Sequence, residues 1–498
     1  MSPPLRPFRP PFASLLFAIL ALVLPFAGAP AQAQGQAVTQ APQPRPPQPP
    51  SQPSAAAAPL APAPVTPVFE RTLPNGMKVI VKEDHRAPTV VHLVLYRVGS
   101  IDEVNGRTGV AHALEHMMFK GTKKIGPGEF SRRVAERGGR ENAFTSRDYT
   151  GYYQQIGARH LSEMMQLEAD RMVNLRLTAE EFDKEIRVVM EERRWRIEDR
   201  AQSQVYEQLM ASAFVTSPYR TPTAGWMSDL ESMKVDDLKD WYRDWYTPSN
   251  AVLVVAGDVS GEAVWRLAER TYGRIPARAL PVRKPQREPE QRGVRRSWVK
   301  AQAENPYVIM GFKVPKLEDV ERDVEPYALE VLSAVLDADE NGRLTRDLVR
   351  GTRVANRAGA GYDMSGRGPT LFMLDGTPAA GRNTEEVERA LRDEVARIAR
   401  DGVRPEELER IKTQYVASRI YQRDSVMSQA MEIGVLEVIG MSHRDADRIL
   451  ERIRAVTAEQ VQAVAQKYFG DDALTVVTLL PQPISNDAPK RPPAGVRH

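Results

Sequence analysis

The 498-residue sequence contains no cysteine, so it has neither a disulfide framework nor a thiolate metal site, and it cannot be anchored by a lipid on cysteine. Its fold must rest on packed cores. Histidine is also scarce, with seven residues in the whole chain. Nor is there an excess of one charge: 68 Lys and Arg stand against 65 Asp and Glu, a net charge of +3, and the two signs are interspersed. That balance removes the electrostatic case for a nucleic-acid partner. After residue 24 no apolar run approaches the roughly 20 residues that a membrane span needs. Length alone makes two or more domains the expectation.

What is present begins with an address. Arg6 and Arg9 precede an apolar run, Leu15 to Leu24, that is short for a span and breaks at Pro25, and Ala31-Gln32-Ala33 has the small-x-small pattern of a cleavage site. Residues 1–33 are therefore expected to be a signal peptide for export to a periplasm, or for release beyond it. Residues 34–67 are Pro, Ala and Gln with little to bury, an extended tether, and 483–498 is expected to be a disordered tail.

Ordered structure is expected from residue 68. Asn75-Gly76 followed by alternating apolar residues is a hairpin signal, and Val90 to Val98 is a second strand. Then comes the stretch that dominates the reading, His112-Ala113-Leu114-Glu115-His116. On a helix the two histidines are one turn apart, so their imidazoles can meet at one ion. Glu115 emerges beside them, placed to take a proton from a metal-activated water. The order His-x-x-Glu-His inverts the commoner zinc-protease motif.

Two histidines leave a catalytic zinc short of a protein ligand, since such sites generally have three. A helix from Thr178 to about Asp199 offers candidates. Thr178 and Glu181 have capping-box spacing, Phe182, Ile186 and Val189 form an apolar stripe, and Glu185 and Glu192 share a face. Spacing alone does not separate Glu192 from Glu191. Between the two helices, Gly138-Gly139 opens a polar, Thr- and Tyr-rich strand of the kind found at a sheet edge, where a peptide could add as a further strand or water could simply solvate it. Residues 279–296, with three prolines among Arg and Glu, read as a linker. Beyond it the element order repeats: a strand at Tyr307 to Phe312, a helix from Tyr327 to Leu336, a strand near Thr370, helices at Thr384 to Arg400 and Pro405 to Tyr421, and a last helix before a strand. Domains at 68–278 and 297–482 are thus expected to be duplicates, with His-x-x-Glu-His in the first alone.

Three segments in order, the His112 to His116 motif, Gly138 to Thr150 and Glu185 to Arg193, resemble the insulinase/pitrilysin superfamily of inverted-motif zinc peptidases, in its short, processing-peptidase-like bacterial form. The resemblance implies an α+β fold of two homologous halves, each a mixed or antiparallel sheet with helices packed on it, forming a clamshell. It implies one Zn2+ per chain held by His112, His116 and Glu192, with Glu115 as the catalytic base and Glu185 supporting a ligand. It implies that Asn142, Ala143 and Phe144 lie on the substrate-binding strand of an exported peptidase acting on short or unfolded peptides. Active members also carry an Arg and a Tyr that grip substrate. Here Arg350 falls on the Arg place, while Asn356 stands where Tyr is expected, and Tyr362 is too far along to replace it. The implied partner is a zinc-less homologous subunit bearing that pair, or a second copy in a homodimer. The alternative is a catalytically silent assembly subunit that keeps the fold.

Overall fold

The computed structural model describes residues 68–338 and 341–484. The expected signal peptide, the tether and residues 485–498 lie outside the described residues.

The chain enters on β1 (Val68–Thr72) and turns at Asn75-Gly76 into β2 (Lys78–Glu83), then continues into β3 (Thr89–Tyr96). Gly76 has φ +87°, which glycine adopts without steric cost. Next follow α1 (Val110–Met117), α2 (Glu129–Glu136), β4 (Arg140–Thr145), β5 (Thr150–Gly157), α3 (Leu161–Asn174), α4 (Ala179–Arg193) and α5 (Ala201–Ala213). The first half ends with α6 (Met227–Ser232), α7 (Val235–Trp245), β6 (Ala251–Gly257) and α8 (Gly261–Arg270). Its sheet has the order β1-β2-β6-β3-β5-β4, parallel between β2 and β6 and antiparallel elsewhere.

The second half contains β7 (Arg295–Gln302), β8 (Tyr307–Val314), α9 (Glu325–Leu336), a helical segment at Leu344–Gly351, β9 (Ala355–Gly361) and β10 (Thr370–Pro378). Five helices follow, α10 (Thr384–Asp401), α11 (Pro405–Gln422), α12 (Val426–Ile439), α13 (Asp445–Arg454) and α14 (Ala458–Tyr468), before β11 (Leu474–Gln482). Its sheet runs β7-β11-β8-β10-β9, parallel between β7 and β11 and otherwise antiparallel. The same topology is therefore laid down twice, with β7 matching β2, β11 matching β6, and β8, β10 and β9 matching β3, β5 and β4. The fold is α+β with two sheets, and residues 279–294 between the halves carry no helix or strand.

The halves are tied by an exchange of helices. α12, from the second half, lies on the first sheet, where Ala430, Met431, Ile433, Val435 and Val438 join Leu93, Leu95, Val252 and Val254 in one apolar cluster. Gly434 permits the close approach, because a Cβ there would come 2.3 Å from Leu95 Cδ1. Reciprocally, Val205, Leu209 and Ala213 of α5 pack against Ile309, Val477 and Leu479 of the second sheet. At about 2 kcal/mol for each large apolar side chain removed from water, either helix contributes several kcal/mol to holding the halves together. The exchange also explains why Val90 to Leu95, apart from the hydrogen-bonded His92, and Ala251 to Ala256 are apolar on both faces: helices of the first half cover one face and α12 the other.

Candidate metal centre

α1 starts at a glycine because of what surrounds it. Gly109 has φ +85° and sits so near Gly225 that a Cβ would lie 2.7 Å from Ala224 O. No side chain at the N-cap satisfies the first amides, and Glu103 does so from six residues upstream, its Oε2 accepting from Gly109 N at 2.8 Å and Oε1 from Ala111 N at 2.9 Å. Burial pushes the Glu103 carboxyl up to about 8, against those two amides. α4 is started by Thr178, whose hydroxyl accepts from Glu181 N, and Phe182, Ile186 and Val189 bury its apolar face in the first-half core. α1 then packs on α4.

This packing brings His112, His116 and Glu192 together, one ligand atom from each lying within 4.8 Å of the others. Glu192 Oε2 is 3.1 Å from His116 Nε2 and 3.4 Å from His112 Nε2. Ligands at about 2.1 Å around a tetrahedral zinc are about 3.4 Å apart, so these separations suit an ion between them. Donor type agrees, with two imidazoles and one carboxylate forming a three-ligand set that leaves a place for water. The imidazoles are buried and stand edge to face, 81° apart. Glu192 and Glu191, which spacing could not separate, face different ways: Glu191 is exposed and pairs with Arg194.

Around this triad several charged and polar side chains hold its members in place. His116 Nδ1 donates to Glu185 Oε1 at 3.0 Å, which leaves Nε2 as the atom that faces the cluster, and Lys120 Nζ holds the other Glu185 oxygen at 2.5 Å. Arg196, on a π-helical turn just after α4, pairs with Glu192 Oε1. Burial opposes ionisation of Glu192, yet His116, His112 and Arg196 outweigh it and bring the carboxyl down to about 2. Burial likewise disfavours charged His116, but Glu185 and Glu192 override it and raise the imidazole to about 9. Glu115 lies beside the triad with Oε2 accepting from Thr145 Oγ1 at 2.6 Å, and burial raises its pKa.

Because zinc and a proton compete for His116 Nε2, and that proton leaves only near pH 9, zinc affinity should rise about tenfold per pH unit from pH 6 toward 9 and level off above. Glu192, ionised throughout that range, adds no slope. Competition titration with a chromogenic chelator would measure it, and an affinity flat between pH 6 and 9 would contradict the assignment.

Asn142, Ala143 and Phe144 lie on β4, the outer strand of the first sheet. Ala143 faces the core containing α1, and Phe144 turns to the side covered by α12. The strand thus borders the triad, and its outer edge has no partner strand among the described residues. Arg350 stands elsewhere, exposed on the segment Leu344–Gly351 against β9 and α10 of the second half. Three contributors escaped the sequence reading although their spacing carried a signal. Lys120 is one turn after His116, Arg196 is one turn after Glu192, and Thr145 shares a strand face with Ala143.

Comparison with known proteins adds independent observations. Residues 78–225 match the family model described as insulinase (peptidase family M16), and residues 232–415 match the one described as the peptidase M16 inactive domain. The boundary between the two matches falls before β6, which the fold returns to the first sheet. A zinc protease PqqE from Helicobacter pylori is 30% identical over 422 residues, covering 82% of this chain and 92% of that protein. A solved protease structure from Helicobacter pylori has a TM-score of 0.78 at 28% identity, covering 83% of this chain and all of that one. The periplasmic protease PqqL from Escherichia coli has a TM-score of 0.70 at 18% identity, a likeness of fold, and this chain spans 49% of its length.

Proposed function

Because the chain belongs to the insulinase family of peptidases (peptidase family M16), we propose that it is a zinc-dependent peptidase whose base is Glu115 and whose metal ligands are His112, His116 and Glu192. The observation that carries this reading is the meeting of three ligand atoms from two helices, with a half-buried carboxylate one residue away from a ligand. Bound there, zinc would lower the pKa of a water to about 7 and polarise a peptide carbonyl. His116 is presented in one tautomer by Glu185, and Glu192 is kept anionic by Arg196. Glu115 accepts a proton from the attacking water and delivers it to the leaving amine. Burial raises its pKa and so makes it a better acceptor, and the leaving amine, far more basic than any carboxylate, then takes the proton from it.

The substrate reading rests on β4. An extended peptide that added to its open edge would be held by backbone hydrogen bonds, which do not depend on side-chain identity, so short or unfolded peptides fit better than folded proteins. A partner completes the site. Asn356 cannot supply the phenolic donor that the family places there, and in the twice-longer PqqL chain this unit is accompanied by as much sequence again. A zinc-less homologous subunit with the Arg/Tyr pair would supply that donor, with Arg350 on the Arg place of this chain. Export rests on the Arg6 to Ala33 segment, and no described helix is long and apolar enough to cross a membrane.

The test is hydrolysis of a quenched library of unstructured peptides by the purified chain, with and without chelator and with and without such a subunit encoded beside it. Expected is chelator-sensitive cleavage that rises on the order of 100-fold when the partner supplies an oxyanion donor. Full-rate cleavage by the chain alone would refute the partner, and no cleavage by the zinc-loaded pair would leave the assembly-subunit reading standing.

A further inference from the structure

Glu115 carries the proposed chemistry on a side chain with three rotatable bonds, and its carboxylate has two oxygens of which one must face the attacking water. The structure shows what holds the other. Thr145 is the last residue of β4, and its Oγ1 donates to Glu115 Oε2 at 2.6 Å. Alternation along the strand explains the reach, because Ala143 and Thr145 share the face toward α1 while Asn142 and Phe144 take the opposite one. A threonine, stiff at χ1 through its branched Cβ, keeps such a donor in place better than a longer side chain would.

The end of β4 is itself fixed. Ser146 N and Ser146 Oγ both donate to Tyr149 O at 2.9 Å, closing the turn into β5. Ile101 N donates to Arg147 O at 2.9 Å, and Gly99 lies so close beneath the turn that a Cβ would fall 2.5 Å from Arg147 O. From the second half Arg367 reaches across, donating to Asp148 O at 2.9 Å and to both oxygens of Asp102 at 2.7 and 2.8 Å. The Asp148 carboxylate accepts in turn from Tyr219 OH at 2.6 Å. The residue touching the base is therefore continuous with a turn that both halves clamp.

We propose that Thr145 is a positioning residue that fixes the Glu115 carboxylate and registers it to the strand a peptide would join. One strand then sets two things at once: where the extended substrate lies, through the free edge of β4, and where the proton acceptor lies, through the hydroxyl. The second half, which has no metal motif, contributes to the orientation of the base by way of Arg367 and the turn. The proposal rests on the reading of Glu115 as base, so its test includes variants of both residues.

The experiment compares wild type with Thr145→Val, Thr145→Ser, Glu115→Gln and the double variant Glu115→Gln/Thr145→Val, each as the full zinc-loaded chain. Turnover of the peptide library and affinity for N-acetyl-leucyl hydroxamate, measured by calorimetry, are read together with zinc stoichiometry. Thr145→Val should lower kcat and hydroxamate affinity about 10- to 100-fold with KM and zinc content unchanged, and Thr145→Ser should restore most of both. In the Glu115→Gln background the Val substitution should cost the hydroxamate nothing further, since its effect passes through the carboxylate. Thr145→Val matching wild type, a loss that adds to that of Glu115→Gln, or failure of Ser to rescue would each overturn the proposal. Wild-type behaviour of Glu115→Gln would instead overturn the base itself, and the proposal with it.

Discussion

Glu115→Gln is expected to lower turnover by roughly 10²- to 10⁴-fold while the chain keeps its full complement of zinc. The two effects separate because Glu115 is not among the three clustered ligand atoms, although it is adjacent in sequence to one of them. The amide has nearly the volume of the carboxylate and its oxygen can still accept from Thr145, so packing and hydrogen bonding at 2.6 Å survive. What it lacks is a basic site for the proton. Burial, which raises the Glu115 pKa, means that an uncharged replacement is no strain on the fold; removing the buried charge relieves a desolvation cost. Metal analysis of the purified variant alongside kcat measures both quantities. Loss of zinc together with activity would show that Glu115 is a ligand, and retained turnover would show that another group is the base.

Much of the site could be read before any coordinates. The one-turn spacing of His112 and His116 fixes their common direction whatever the helix packs against, so the motif was legible locally. Choosing Glu192 over Glu191 was not local, because adjacent residues differ by 100° around a helix and the answer depends on which face docks. The apolar stripe held the missing clue: Glu185 and Glu192 each follow a buried residue, Phe182 and Val189, by three positions, which turns both toward the face that meets α1. The edge position of Asn142 to Phe144 was inferable from polarity, and the two-fold repetition of elements from order alone.

Other features were hidden for stated physical reasons. Periodicity says that a helix has an apolar face but not which sheet covers it, so the crossing of α5 and α12 onto each other's halves could not be read from Val205 and Leu209 or from Ile433 and Val435. α5 has a weak apolar pattern because of its Ala and Gln content, and in place of the single last helix expected from sequence the chain forms α12, α13 and α14. β9, with sequence Ala355-Asn356-Arg357-Ala358-Gly359-Ala360-Gly361, has little β propensity and owes its strand form to pairing with β10. The clamp of Arg367 on Asp102 and Asp148 joins residues more than two hundred positions apart, and no local signal announces it.

Removing the carboxylate of the proposed third ligand, Glu192, should produce the other large effect, and a graded series around it tests the whole geometry. Structural zinc sites with four ligands bind with about 10–16 kcal/mol, so one ligand is worth roughly 3 kcal/mol, and Glu192→Ala should weaken zinc binding by at least about 100-fold, with peptide turnover falling in step at limiting metal. Part of the loss is electrostatic. Without Glu192, Arg196 is left as an uncompensated cation beside the ion's place. Glu185→Gln removes charge from the His116 partner but keeps an acceptor for Nδ1, so about a tenfold loss is expected. Glu191→Gln, one residue from the ligand but exposed and paired with Arg194, should change affinity by less than about twofold. Zinc competition with a chromogenic chelator at fixed pH ranks the three. A loss in Glu191→Gln equal to that in Glu192→Ala would mean that α4 presents a different face to α1, and the convergence on which the peptidase reading depends would have to be abandoned.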